Sequence, residues 1–434
     1  MAARRLAVHL VAGVLGTKRP LEQVLVDVSR QPDLSFLDPR DRALARMVAA
    51  TVLRRQGELE HVLNAFIERP LPREKGYLWP ILLCAAAQLL CLELPAHAVV
   101  DLSVELVRRD RGAHRFAKLS NAVLRRVSER GGALLATQDA LQLNIPGWLW
   151  QRWSREYGPD TARRIAEASL KEAALDISLK PHEDAAGWAD RLGGHVLPTG
   201  SIRLALHGRV EDVPGYRDGV WWVQDAAAAL VGRLAGNVAE RAVADLCAAP
   251  GGKTATLAAG GAVVTAVDIS AARLERLKAN LDRLKLSAAL VAADASTWAP
   301  GASFDAVILD APCTATGTIR RHPDILRLKA EGDVARMADL QQRLLGNAAT
   351  LVRPNGLLLY STCSLEPEEG PQQIAAFLRA HAGFERVPIV AGEIGGDPAW
   401  LTPAGELRTL PFHGQAAAAA GMDGFYVARL RRLT

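Results

Sequence analysis

From residue 220 onward, short apolar runs rich in β-branched residues alternate with helical stretches. The runs are AVADL, AVVTAVD, AALVAAD, FDAVILD and GLLLYST, and the stretches between them include 271–285 and 333–352. Such alternation predicts a mostly parallel sheet with helices on both faces. Ligands of these sheets bind beyond the carboxyl ends of the strands, near the point where strand order reverses. The polar residues that end the runs are therefore the site candidates: Asp245, Asp268, Asp294, Asp310 and Cys363.

The rest of the chain reads differently. At 434 residues it is too long for one ordinary domain. Residues 1–135 show helical spacing only, as in Leu44, Met47, Val48, Thr51 and Val52. Asp38-Pro39 starts one of these helices, with Asp as N-cap and Pro at the first helical position. Gly131-Gly132 reads as the end of this region. Pro146, Gly147, Trp148, Trp150 and Trp153 open an amphipathic helix, and short Gly/Pro-punctuated segments follow. The expectation is a multidomain chain: an all-α domain over 1–135, a small α+β linker domain over 136–218, and an α/β Rossmann-like domain over 219–434. The alanine tract at 416–420 is expected to be a loop.

Charge is unevenly spread. Residues 1–135 carry 21 Lys+Arg against 14 Asp+Glu, and the remainder carries 31 against 33. A basic region suits an anionic partner such as RNA, since neutralised phosphates release counterions. It equally fits a solvated, Arg-rich helical surface. Five cysteines without paired spacing predict reduced thiols, a cytoplasmic location, and neither a disulfide framework nor a metal site. The apolar start MAARRLAVHLVAGVLG is interrupted by His9 and reads as a helix. The stretch 81–100 is broken by Gln88, Glu93, Pro95 and His97, so buried helices are expected and no membrane span. Nothing indicates an oligomer.

The densest local signal is DLCAAPGGKT at 245–254, between an apolar strand and a helix. Gly251 and Gly252 permit a tight turn and close approach of a ligand. The segment approximates a nucleotide-binding P-loop, but the first glycine of that pattern falls on Cys247. Nucleotide hydrolysis is therefore disfavoured. Asp268 can accept hydrogen bonds from a ribose diol, and Asp294 can face an adenine amino group. Each acid taken singly also fits a helix N-cap or turn.

Two cysteines end neighbouring strands, in DAPCTATGTIRRHPD at 310–324 and YSTCS at 360–364. Cys84 and Cys91 lie seven apart on an apolar helix and read as packing. Cys247 packs or presents its backbone. Cys313 and Cys363 sit in polar turns at the reactive edge. Methylation at carbon 5 of a pyrimidine requires such a thiol. Thiolate addition to carbon 6 converts the ring to an enamine, whose carbon 5 can attack a methyl group. The thiol needs a nearby positive charge, for which the cofactor and Arg320 or Arg321 are candidates.

DLCAAPGGKT, VDIS, DAPCTATGTIRRHPDI and YSTCSLEPEE, in this order and spacing, resemble the RNA cytosine-carbon-5 methyltransferases of the Nop2/Sun class. VQDAAAAL at 223–230 and LRTLPFHG…GMDGFYVARL at 407–430 extend the likeness. FAKLSNAVLRRV at 116–127 is similar to the last helices of a NusB-like RNA-binding domain. That combination resembles the branch acting on bacterial 16S rRNA. The likeness covers nearly the whole chain and is weakest at 130–215. It implies S-adenosyl-L-methionine as cofactor, held by Cys247, Ala248, Ala249, Pro250, Gly251, Gly252, Lys253, Asp268, Asp294 and Asp310. It implies Cys363 as nucleophile, Cys313 in product release and Asp310 as the contact to the base. Where the family often has L-R-x-N, this chain has Leu175-Asp176-Ile177-Ser178, which puts an RNA contact there in doubt. The competing readings are a tRNA cytosine methyltransferase, a non-catalytic RNA-binding protein and a P-loop nucleotidase.

Overall fold

The computed structural model describes residues 1–29, 37–71, 76–205, 209–414 and 421–433. The alanine tract at 416–420 lies outside the described residues. The chain forms two compact units: 1–155 with 321–330, and 156–320 with 331–434.

The first unit is helical. Helix Ala2–Thr17 buries Leu6, Leu10 and Val14 and stops at Lys18, in a left-handed conformation with φ 53°. Helix Pro39–Arg54 starts as its sequence dictates: the Asp38 carboxylate accepts the Arg40 N–H at 2.7 Å, and Pro39 occupies the first turn. Helix Leu78–Leu90 buries nearly every side chain. That accounts for the most apolar stretch of the sequence, with helix Ala96–Arg109 following it. Among the described residues, no helix is long and apolar enough to cross a membrane.

Gly131-Gly132 does not end this region; helix Ala117–Ala136 runs through both. A Cβ on Gly131 would stand 3.0 Å from Leu90 and 3.3 Å from Val62, so that glycine admits close helix packing. The stretch 321–330 completes the unit. Asp324 accepts the Leu21 N–H at 3.0 Å, and Arg327 donates to the carbonyls of Leu53 and Asn144, both at 3.2 Å. Leu328 packs on the helical core.

The second unit holds two sheets. The smaller has the order β2-β3-β1-β4, all antiparallel: β1 Leu175–Leu179, β2 His195–Val196, β3 Ile202–Leu204 and β4 Trp221–Val223. Asp176 and Ser178 of β1 both point inward and are buried. Asp176 pairs bidentately with Arg203 of β3, at 2.6 and 2.7 Å, and Ser178 donates to Gln224 at 2.9 Å. The departure at Asp176 and Ser178 is thus absorbed inside the protein.

The larger sheet has the order β10-β12-β9-β8-β5-β6-β7, with β11 on β12. Its strands are β5 Ala242–Leu246, β6 Val263–Asp268, β7 Ala289–Ala292, β8 Phe304–Asp310, β9 Val352–Thr362, β10 Phe384–Arg386, β11 Leu407–Arg408 and β12 Tyr426–Arg432. β5 to β9 are parallel; β10 to β12 pair antiparallel. All five expected strand runs are present. Strand order reverses between β5 and β8, so a crevice is expected at their carboxyl ends.

Candidate active site

The loop after β5 is shaped by its glycine. Gly251 has φ 104°, and a Cβ there would stand 2.7 Å from Leu277. Only glycine satisfies both conditions. Cys247 opens the loop at φ 60°, and helix Gly252–Ala259 follows it. The loop is stitched to β6: Ala248 N–H donates to the Val267 carbonyl at 3.0 Å, and Ala249 N–H to the Asp268 carboxylate at 3.2 Å. Asp268 is buried, also accepts the Ser270 N–H at 3.0 Å, and pairs with Arg273 at 3.4 Å.

Asp294 is exposed, two residues beyond the end of β7. Its carboxylate accepts the Ser296 N–H and hydroxyl at 2.8 and 2.7 Å, which holds its pKa below the usual carboxylate range. Asp245 lies fully buried beneath the loop. One of its oxygens accepts the Thr254 hydroxyl at 2.6 Å, and the other has no hydrogen-bond partner among the described residues. Burial pushes this carboxyl up to about 7.

Cys313 and Cys363 follow the parallel neighbours β8 and β9, and their sulfurs stand 3.4 Å apart. At the end of β8, Asp310 accepts Lys253 Nζ at 2.6 Å and the Ser361 hydroxyl at 2.9 Å. Burial alone would lower the Lys253 pKa. Asp310, Asp245 and the nearby Cys363 outweigh it, so the ammonium stays charged. The Cys313 thiol is held protonated, first by its hydrogen bond to Cys363, then by burial and by the charges of Cys363 and Glu369. Burial pushes the Cys247 thiol up to about 12, with Asp310 and Asp268 adding to it, which makes it a poor nucleophile.

Arg320 does not supply the positive charge expected of it. It is buried with Asp225 and Asp423, at 3.4 and 3.6 Å. Arg321 starts the stretch that belongs to the helical unit. Among the described residues, a cation near Cys363 is Lys253, placed by sequence in the cofactor loop only.

Sequence reasoning did not single out Glu369, in a short 3-10 turn after YSTCS. Its carboxylate accepts the Thr314 N–H at 2.8 Å and Gln341 Nε2 at 3.0 Å, together with the hydroxyls of Thr314 and Ser364. Its backbone carbonyl accepts the hydroxyls of Tyr360 at 2.9 Å and Thr362 at 3.1 Å. The available signal was an acid following an apolar strand end within LEPEE, which reads equally as a helix-starting acid.

The structure therefore gathers the 247–253 loop with Asp268, and Asp310 with Lys253, Cys313 and Cys363. The Asp294 carboxylate is bonded within its own turn, at Ser296, next to Ala293, whose N–H donates to the Asp268 carbonyl at 3.2 Å.

Residues 234–431 match the family described as 16S rRNA methyltransferase RsmB/F, and residues 1–129 match the NusB family. The ribosomal RNA small subunit methyltransferase B of Xanthomonas campestris is 37% identical over 90% of this chain and 91% of that protein. Its counterpart in Vibrio cholerae is 36% identical over 91% and 90%. The crystal structure of PH0851 shares the fold, with a TM-score of 0.77 at 22% identity over 99% of this chain and 98% of that one. The chain belongs to the 16S rRNA methyltransferase RsmB/F family.

Proposed function

We propose that this chain transfers a methyl group from S-adenosyl-L-methionine to carbon 5 of a cytidine in 16S rRNA, through a covalent cysteine–cytosine intermediate. The observation that carries the reading is the pair of thiols 3.4 Å apart beside the Asp310–Lys253 ion pair.

The cofactor is assigned to Cys247, Ala248, Ala249, Pro250, Gly251, Gly252 and Lys253, with Asp268, Asp294 and Asp310. The residues present fit it. Gly251, at φ 104°, turns the backbone sharply beyond the carboxyl end of β5, and the Asp268 carboxylate at the end of β6 keeps acceptor lone pairs for a ribose diol beyond those given to the Ala249 and Ser270 amides. When bound, the cofactor supplies an electrophilic methyl on a sulfonium.

Cys363 is the nucleophile. Its thiolate adds to carbon 6 of the cytosine, and the ring becomes an enamine reactive at carbon 5. The Lys253 ammonium stabilises the thiolate. Asp310, held by Lys253 and Ser361, hydrogen-bonds the base and stabilises its protonated ring nitrogen. After methylation the carbon 5 proton leaves to a base and the Cys363 sulfur departs. Cys313, kept as a neutral thiol, assists this release.

The three-part division stands in the same proposal: residues 1–135 dock the RNA, 136–218 link, and 219–434 catalyse. The unpaired spacing of the five cysteines supports a cytoplasmic location. The test is transfer of tritiated methyl to separate samples of unmodified 16S rRNA and bulk tRNA, followed by nucleoside analysis. Label in 5-methylcytidine from 16S rRNA alone supports the reading. Label from tRNA alone keeps the chemistry and overturns the substrate.

A further inference from the structure

Glu369 touches neither thiol, yet its carboxylate joins the two segments that carry them. Thr314 directly follows Cys313 and gives Glu369 both of its donors, N–H and hydroxyl. Ser364 directly follows Cys363 and donates its hydroxyl to the same carboxylate. The Thr314 and Ser364 hydroxyl oxygens are themselves 3.0 Å apart. Gln341 donates to Glu369 at 3.0 Å and to the Pro312 carbonyl at 2.9 Å, so both flanks of Cys313 end on this hub. A carboxylate can accept four such bonds; the neutral amide of glutamine keeps one acceptor oxygen and turns the other end into a donor.

The two thiols depend on the hub unequally. The Cys363 segment continues β9 and has other anchors. Arg408 donates to the Ser364 carbonyl at 2.6 Å, Leu365 N–H donates to Thr316 at 3.0 Å, and Ser361 bonds Asp310. On the Cys313 segment the two residues that flank the thiol, Pro312 and Thr314, are held by Gln341 and Glu369, while the anchors further out are the Ala311 N–H on the Ser361 carbonyl and the Gly317 N–H on the Cys363 carbonyl, both at 2.9 Å. Loss of the carboxylate therefore releases Cys313 more than Cys363.

We infer that Glu369 is a positioning residue that holds the Cys313 thiol in register with Cys363, and that it acts on resolution of the covalent intermediate rather than on its formation. This rests on the two-cysteine reading above. The negative charge of Glu369 also favours the neutral form of Cys313, in keeping with a thiol that helps the other sulfur to leave.

The experiment is a single-turnover reaction of the full chain with 16S rRNA and radiolabelled S-adenosyl-L-methionine, resolved on denaturing gels. Glu369→Gln, Thr314→Val and Cys313→Ala are run beside the unaltered protein. The expected result for Glu369→Gln is adduct formation within about threefold of the unaltered rate, with release slowed at least tenfold, so that labelled protein–RNA adduct persists. Thr314→Val, which removes one hydroxyl and keeps the shape, shows a smaller slowing in the same step and carries the test if Glu369→Gln does not fold. Formation and release falling together in both variants marks a merely structural role and overturns the inference. So does release at the unaltered rate. If Cys313→Ala itself accumulates no adduct, the two-cysteine reading fails first and the inference falls with it.

Discussion

Cys313 and Cys363 lie fifty residues apart in sequence and meet at 3.4 Å because β8 and β9 are parallel neighbours whose ends face the same way. The antiparallel β12 on the other side of β9 begins at that same edge, where the Gly424 N–H donates to the Gly317 carbonyl at 2.8 Å. Their surroundings give the two thiols different characters. Cys313 is held protonated by its contact with Cys363, by burial and by nearby negative charge, and Cys363 shares its surroundings with a buried ammonium.

Replacing the nucleophile gives the plainest prediction. Cys363→Ala is expected to abolish methyl transfer and to leave S-adenosylhomocysteine affinity within about twofold, because covalent addition is lost and the 247–253 loop is untouched. Calorimetry and the tritium assay check both. Full activity in this variant ends the covalent mechanism.

Cys313→Ala is expected to form the adduct and fail to release it, giving a protein–RNA species stable in denaturing gels. If Cys363→Ala is the variant that yields such a species, the two roles are exchanged.

Asp268 separates a cofactor contact from a turn residue. Asp268→Ala is expected to weaken S-adenosylhomocysteine binding by about 1–3 kcal/mol, through loss of hydrogen bonds to the ribose. Asp268 also holds Ala249 and Ser270 in the protein alone, so the melting temperature falls as well. Titration at a temperature where the variant is folded isolates the first effect. Unaltered affinity there assigns Asp268 to the turn alone.

Asp245 predicts a pH dependence. Its carboxyl stays protonated in the folded chain up to about pH 7, whereas an unfolded aspartate releases its proton near about 3.9. Between these values the folded state binds more protons, so stability falls as pH rises through that window. Asp245→Asn removes the titration while still accepting from Thr254. Urea denaturation should find the variant close to the unaltered protein at pH 4 and more stable at pH 8. Parallel curves would show that Asp245 does not titrate in that range.

Arg203 and Asp176 form a buried pair, with Arg203 also donating to the Gly421 carbonyl at 2.6 Å. Asp176→Ala leaves a buried guanidinium without its counter-ion and should cost about 3–5 kcal/mol. The double replacement Asp176→Leu with Arg203→Leu should recover much of that in urea denaturation. A single variant as stable as the parent would mean that water reaches Arg203.

The sheet was legible because its signal is local: five apolar runs, four of them followed by a helix with its own period. The cysteines and the glycine loop were legible because strand ends converge on one edge. What escaped depended on tertiary partners. Gly131-Gly132 looks like a break in the sequence, and only the side chains of Leu90 and Val62 show that Gly131 is a packing site. Arg320 looks like a free cation until Asp225 and Asp423 are seen beside it. Glu369 looks like the first acid of a helix, since its four donors come from Thr314, Gln341 and Ser364.

The stretch 321–330 bears on how this protein can be dissected. The polypeptide crosses between its two units three times, at 155, at 320 and at 330, so no single cut frees either one. A fragment ending at residue 155 would lack Asp324, and with it the acceptor for the Leu21 amide at the start of helix Leu21–Ser29. It would also expose the carbonyls of Leu53 and Asn144 that Arg327 covers. The helical unit is complete only in a chain that has already been made past residue 330, so during synthesis it waits for β8 to leave the ribosome before its last piece arrives.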